Sequence, residues 1–94
     1  MVDVPPVSEH AADRWDERTD PRSVAPETAW EHAQRLCGAG PIVHVSEVRF
    51  HHGTGTLLLY EPPSITTVLA IDEASDELYH AIKHALPDDD RRTP

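Results

Sequence analysis

A single cysteine, Cys37, stands in the 94 residues, so no disulfide can form within the chain and a cysteine-based zinc site lacks partners. Lysine is nearly missing as well: Lys83 is the sole lysine among eight basic residues. Aromatic residues make up only 5% of the chain. Apolar runs are short, and a stretch such as Leu57 to Tyr60 falls far below the ~20 residues that cross a bilayer. The segment from Met1 to Glu9 has neither the basic region nor the apolar run of an export signal, so neither secretion nor membrane insertion is expected and a reducing cytoplasm fits. What the chain has in excess is carboxylate: seventeen acidic residues oppose the eight basic ones, for a formal charge of -9. Such a surface repels nucleic acid and anionic lipid, and its self-repulsion loosens the compact state.

Concentrated salt would remove that penalty, because the Debye length falls to about 3 Å near 1 M and the repulsion is screened. In its bulk use of Asp, Glu and Arg, the composition resembles that of small haloarchaeal, salt-adapted proteins. The likeness rests on no motif and implies an environment, not an activity. An acidic protein from a GC-rich genome, where Arg codons displace Lys codons, has the same composition.

Residues 1–25 combine Pro5, Pro6 and Pro21 with dense charge and few apolar side chains, which predicts a flexible arm. One exception lies within it: Ser8 can cap a short helix that sets Ala11, Ala12 and Trp15 on one side. A helix is expected from Pro26 to Gly38, with Ala29, Trp30, Ala33, Leu36 and Cys37 on an apolar face. The aliphatic and β-branched stretch Ile42 to Ile71 predicts three antiparallel strands near 42–50, 56–61 and 65–71, parted by Gly53-Thr54-Gly55 and Pro62-Pro63. From a cap at Asp72, the spacing of Ala74, Leu78, Ala81, Ile82, Ala85 and Leu86 predicts a helix that Pro87 stops, and residues 87–94 are expected to form a charged, disordered tail. The expected architecture is one small α+β domain over 26–86: helix, three-stranded antiparallel sheet, helix.

Both faces of that sheet are apolar. Leu57 and Leu59 alternate with Leu58 and Tyr60 in one strand, and Ile65, Leu69 and Ile71 with Val68 and Ala70 in the next. Two helices on one side would leave the other bare, so a homodimer is expected, with Leu57, Leu59, Val68 and Tyr60 at the interface and Trp15 as a further hook for a partner. The alternative is a monomer with one helix on each face.

For chemistry, the strongest pattern is on the last helix, where Glu73, Glu77, His80 and His84 fall at i, i+4, i+7 and i+11, one narrow stripe at 100° per residue. Histidines four apart can chelate zinc or another transition metal, with Glu77 or Glu73 completing the shell and His51 or His52 in reach from a loop. The plainer account is a solvated stripe of carboxylate and imidazole neighbours. His44 is expected to be a partly buried strand residue. No nucleophile sits in an activating turn, and the glycines of 53–55 feed a strand, not a phosphate-binding helix, so an enzyme is not expected. The function that follows is a small cytoplasmic interaction or accessory module without a cofactor, with a metal-binding protein as the alternative.

Overall fold

A computed structural model describes residues 5–19, 24–36 and 38–86, apart from the side chain of residue 85. The elements in order are α1 (Glu9–Arg18), α2 (Pro26–His32), β1 (Gln34–Arg35), β2 (Glu47–His51), β3 (Thr56–Glu61), β4 (Ser64–Ala70) and α3 (Asp76–Ile82), with 3₁₀ turns at Gly40–Val43, Ile71–Glu73 and Lys83–Ala85. The fold is α+β, as the pattern predicts, but its antiparallel sheet has four strands in the order β1-β2-β3-β4.

The fourth strand arises where a longer helix was expected. α2 stops at His32 because Ala33 turns extended, at φ −79 and ψ 150. Gln34 and Arg35 then pair with Phe50 and Arg49 of β2. Two cross-strand partners outweigh the local helical spacing of Ala33 and Leu36, a tertiary gain that no periodicity records. Cys37 lies outside the described residues. Gly38 follows with φ +84, a left-handed backbone that glycine adopts without steric cost.

The strand expected from Ile42 begins only at Glu47. Pro41 fixes its own φ and has no N–H to donate, so Gly40–Val43 winds into a 3₁₀ turn that His44 closes in the left-handed region at φ 58. His44 is exposed in that turn, not a core strand residue. Gly40 is required by close packing: a Cβ there would meet the Val45 carbonyl oxygen at 2.6 Å. β3 occupies the expected 56–61 and β4 begins one residue early, with a register shift at Leu59/Tyr60. The last helix is capped by Ser75 rather than Asp72: the Ser75 hydroxyl accepts from Leu78 N–H at 3.2 Å, and Asp72 lies in the preceding turn.

Within the arm expected to be flexible, residues 9–18 are helical. The Ser8 hydroxyl accepts from the Ala11 N–H at 3.1 Å, and Ala11 and Trp15, one turn apart, are buried. Ahead of the helix, Val7 makes a parallel bridge to Ile65 on the outer edge of β4.

The alternation along each strand sorts side chains into two cores. Val48, Phe50, Leu57 and Leu59 share one face and pack with Leu78, Ile82 and Leu86 of the α3 segment and with Leu36 and Ala39. Leu58, Ile65 and Val68 share the other and pack under Ala11 and Trp15 of α1 and Ala29 and Trp30 of α2. Among the described residues, both apolar faces of the sheet are covered by helices of the same chain, so the bare face from which a homodimer was expected is not found there. Leu57, Leu59, Val68 and Trp15, the expected interface residues, are all buried inside the chain, and Tyr60 packs at the margin of the second core. No described helix is long and apolar enough to cross a membrane.

Candidate functional site

On the α1/α2 side the sheet turns polar at one corner. Period-two alternation puts Glu47 and Arg49 of β2 on the same face as Tyr60 and Leu58 of β3, since Glu47 pairs with Tyr60 and Arg49 with Leu58. α2 lays Trp30 over this corner. The Arg49 guanidinium carbon stands 4.1 Å from the centre of the Trp30 ring, Nη1 donates to the Trp30 carbonyl at 3.0 Å, and Nε donates to Glu47 Oε2. Cation–π stacking and a charge-assisted hydrogen bond thus lock one side chain in one orientation. The second Glu47 oxygen faces Arg35 Nε of β1 at 3.6 Å. Trp30 and Tyr60 complete the corner with ring centres 5.7 Å apart, tilted by 54°.

These groups line an open cleft of about 350 Å³, closed by Pro5 and Pro6 on one side and Pro63 of the β3–β4 turn on another. Trp30 is almost fully buried and Tyr60 half-buried, so the tyrosine is the ring a ligand reaches first. Two aromatic rings, a phenol, and a guanidinium and carboxylate already paired with each other suit recognition of a planar or extended group by stacking and a few hydrogen bonds. Arg49 and Glu47 are paired with one another, and among the described residues that line the cleft none is a histidine.

The Glu73, Glu77, His80, His84 stripe is not assembled. Glu73 falls in the 3₁₀ turn ahead of α3, and the extended Ser75 separates it from the helix. Its carboxylate is already occupied: Oε2 accepts from Arg18 Nη2 at 2.6 Å, Oε1 accepts from Arg18 Nε, and Oε1 also accepts from the Ala70 N–H at 2.9 Å. Those bonds, the Arg18 guanidinium first, hold the Glu73 carboxyl below its usual range and raise Arg18 in return. Glu77 and His80 lie exposed on α3, and His84 sits exposed in the 3₁₀ turn after it. Among the described residues, no group of three or more His, Cys, Asp or Glu side chains is placed to hold a metal ion.

His51 and His52 have other partners. His51 Nδ1 is hydrogen-bonded to Thr54 Oγ1 at 2.9 Å, and its ring meets Trp15 edge-on at 5.9 Å. Burial, followed by the charges of His32 and His52, lowers its pKa. His52 Nε2 pairs with Gln34 Oε1 at 2.8 Å and its ring stands edge-on to Phe50 at 4.8 Å.

Of the cleft residues, the expected helix face contained Trp30 and the expected sheet surface contained Tyr60, whereas Glu47 and Arg49 drew no attention. Their signal is the alternation Glu47-Val48-Arg49-Phe50, two charges on one side of a strand whose neighbours are apolar on both sides. A paired charge facing inward from such a strand marks a corner that the core does not fill.

A family model, Halo_toxin, described as "Putative RelE superfamily toxin domain", matches residues 7–72. The match takes in α1, α2 and all four strands, together with Trp30, Glu47, Arg49, Tyr60 and Pro63. No curated protein and no solved structure matches the chain significantly.

Proposed function

The chain belongs to this RelE-superfamily toxin-domain family, and from that membership we propose that it is a toxin-type domain that restrains growth by seating part of a cellular target in the Trp30–Tyr60 cleft. The family match carries the proposal, and the cleft supports it by location: it is a polar concavity on the matched sheet, lined by locked side chains. In this role the domain is an interaction module, with a protein as its target. Support comes from charge, since a net -9 repels phosphodiester chains, while Arg49 in the cleft and Arg35 beside it both face the Glu47 carboxylate, which offsets their charge. A target presenting positive charge beside an aromatic or proline-containing segment matches both the acidic surface and the stacked rings.

Induced expression in a host cell tests this. The wild-type chain is expected to arrest growth, and Arg49→Ala with Tyr60→Phe is expected to relieve the arrest at equal protein level. Arrest that persists undiminished in the double variant removes the cleft from the account, and a wild type without effect removes the toxin function.

A further inference from the structure

We infer that the segment from Pro5 to Val7 is a strap that sets access to the cleft, seated along one side of it in this structure and able to swing away about Ser8. Pro5 and Pro6 line the cleft together with Trp30, Glu47, Arg49, Tyr60 and Pro63. The strap is anchored beside Tyr60, because its bridge partner Ile65 is also the cross-strand neighbour of Tyr60. Two main-chain hydrogen bonds hold it: Ile65 N–H donates to the Pro6 carbonyl at 2.8 Å and Ser8 N–H donates to the Ile65 carbonyl at 2.9 Å. The ladder cannot lengthen through the prolines, since neither Pro5 nor Pro6 has an N–H to donate. Val7 adds a partly buried side chain against the second core.

The hinge is equally defined. Ser8 is the N-cap of α1 and its hydroxyl stays with the Ala11 N–H, so α1 can remain seated on Trp15 while the residues before Ser8 move. Proline supplies the stiffness: its fixed φ makes Pro5-Pro6 a rigid piece that flanks the cleft or leaves it as a unit. The strap deepens the proposed function by adding its regulation, and it rests on that proposal only for the consequence in cells. Its seat beside Tyr60 can be read chemically.

Nitration of the full chain by tetranitromethane, mapped by mass spectrometry, tests the strap with Tyr79, which packs on the opposite core, as internal control. Loosening the strap with Pro5→Gly and Pro6→Gly, or independently with Val7→Gly, is expected to speed nitration of Tyr60 several-fold while Tyr79 reacts as before. Equal Tyr60 rates in wild type and both variants overturn the strap. A parallel rise at both tyrosines also overturns it, because general loosening would then be the cause. In the growth assay the same variants are expected to arrest more strongly than wild type. Faster Tyr60 nitration without stronger arrest would refute regulation by the strap, whereas absence of arrest in every chain, wild type included, would refute the toxin function and leave the nitration result to decide the strap.

Discussion

The two faces of the sheet are built from different materials. The α3 side is aliphatic, with Leu57, Leu59, Leu78, Ile82 and Leu86 packed around Phe50. The α1/α2 side centres on two tryptophans, each with polar business: Trp15 Nε1 donates to the Val24 carbonyl at 3.0 Å, and Trp30 carries the Arg49 guanidinium. Aliphatic side chains fill space without directional demands, whereas indoles bring both area and a fixed polar partner. One face therefore supplies cohesion, and the other trades part of its packing for a cleft. Where charges enter a sheet between two such cores, the face that accepts them is the one to search for a binding site.

The largest effect expected from this contrast is at Phe50. Phe50→Ala removes a fully buried ring from the aliphatic core and should cost about 3–5 kcal/mol, enough to threaten a small domain whose total stability is of order 5–15 kcal/mol. Urea unfolding measures it, and a loss under about 1 kcal/mol would mean that this core does not hold the fold. On the other face Arg49→Ala should cost only about 1–3 kcal/mol, through the hydrogen bonds to Glu47 and the Trp30 carbonyl, yet should abolish growth arrest. Equal losses of stability at the two positions would erase the contrast.

The helix caps sharpen the comparison further. Ser8→Ala and Ser75→Ala each remove one cap bond, at about 1 kcal/mol by thermal melting.

Acid should act on the cleft side first. His51 packs against Trp15 and its pKa is lowered from 6.5, so in mildly acid solution the unfolded chain binds the proton that the folded chain refuses. Stability contributed by neutral His51 is complete above about pH 6.5 and is lost as pH falls from there toward the lower folded value. Glu73, whose pKa lies below 4.5 in the fold, adds its loss only as pH falls below 4.5. Melting temperatures from neutral pH down to about pH 3 check the order, and His51→Gln should flatten the first decline. The smallest expected effect is uniform: if the carboxylate excess is salt adaptation, added KCl raises the melting temperature of wild type and all variants alike by screening the charge.

β3 and β4 were legible because their alternating aliphatic residues and the Pro62-Pro63 turn leave no other local solution, and α1 was legible from Ser8 and the spacing of Ala11 and Trp15. β1 was not, because Gln34 and Arg35 become a strand only by meeting Arg49 and Phe50. The placement of one helix layer on each face depends on chain path and not on periodicity, so the apolar pattern of Leu57 to Tyr60 fits a buried sheet and a dimer interface equally well. The cleft escaped for the same reason. Glu47 and Arg49 look like a solvated strand edge until α2 folds Trp30 over them. The stripe expected on the last helix is interrupted at both ends, since capping at Ser75 leaves Glu73 outside the helix and bonded to Arg18, and His84 falls in the 3₁₀ turn that follows.

The division of labour between the two faces is tested most directly by growth arrest set against melting temperature for four chains: wild type, Tyr60→Phe, Arg49→Ala and Leu78→Ala. Arrest should vanish in Tyr60→Phe while its melting temperature stays within a degree or two of wild type, and Leu78→Ala should retain arrest for as long as it remains folded. Arrest that simply follows melting temperature across all four chains would contradict the account.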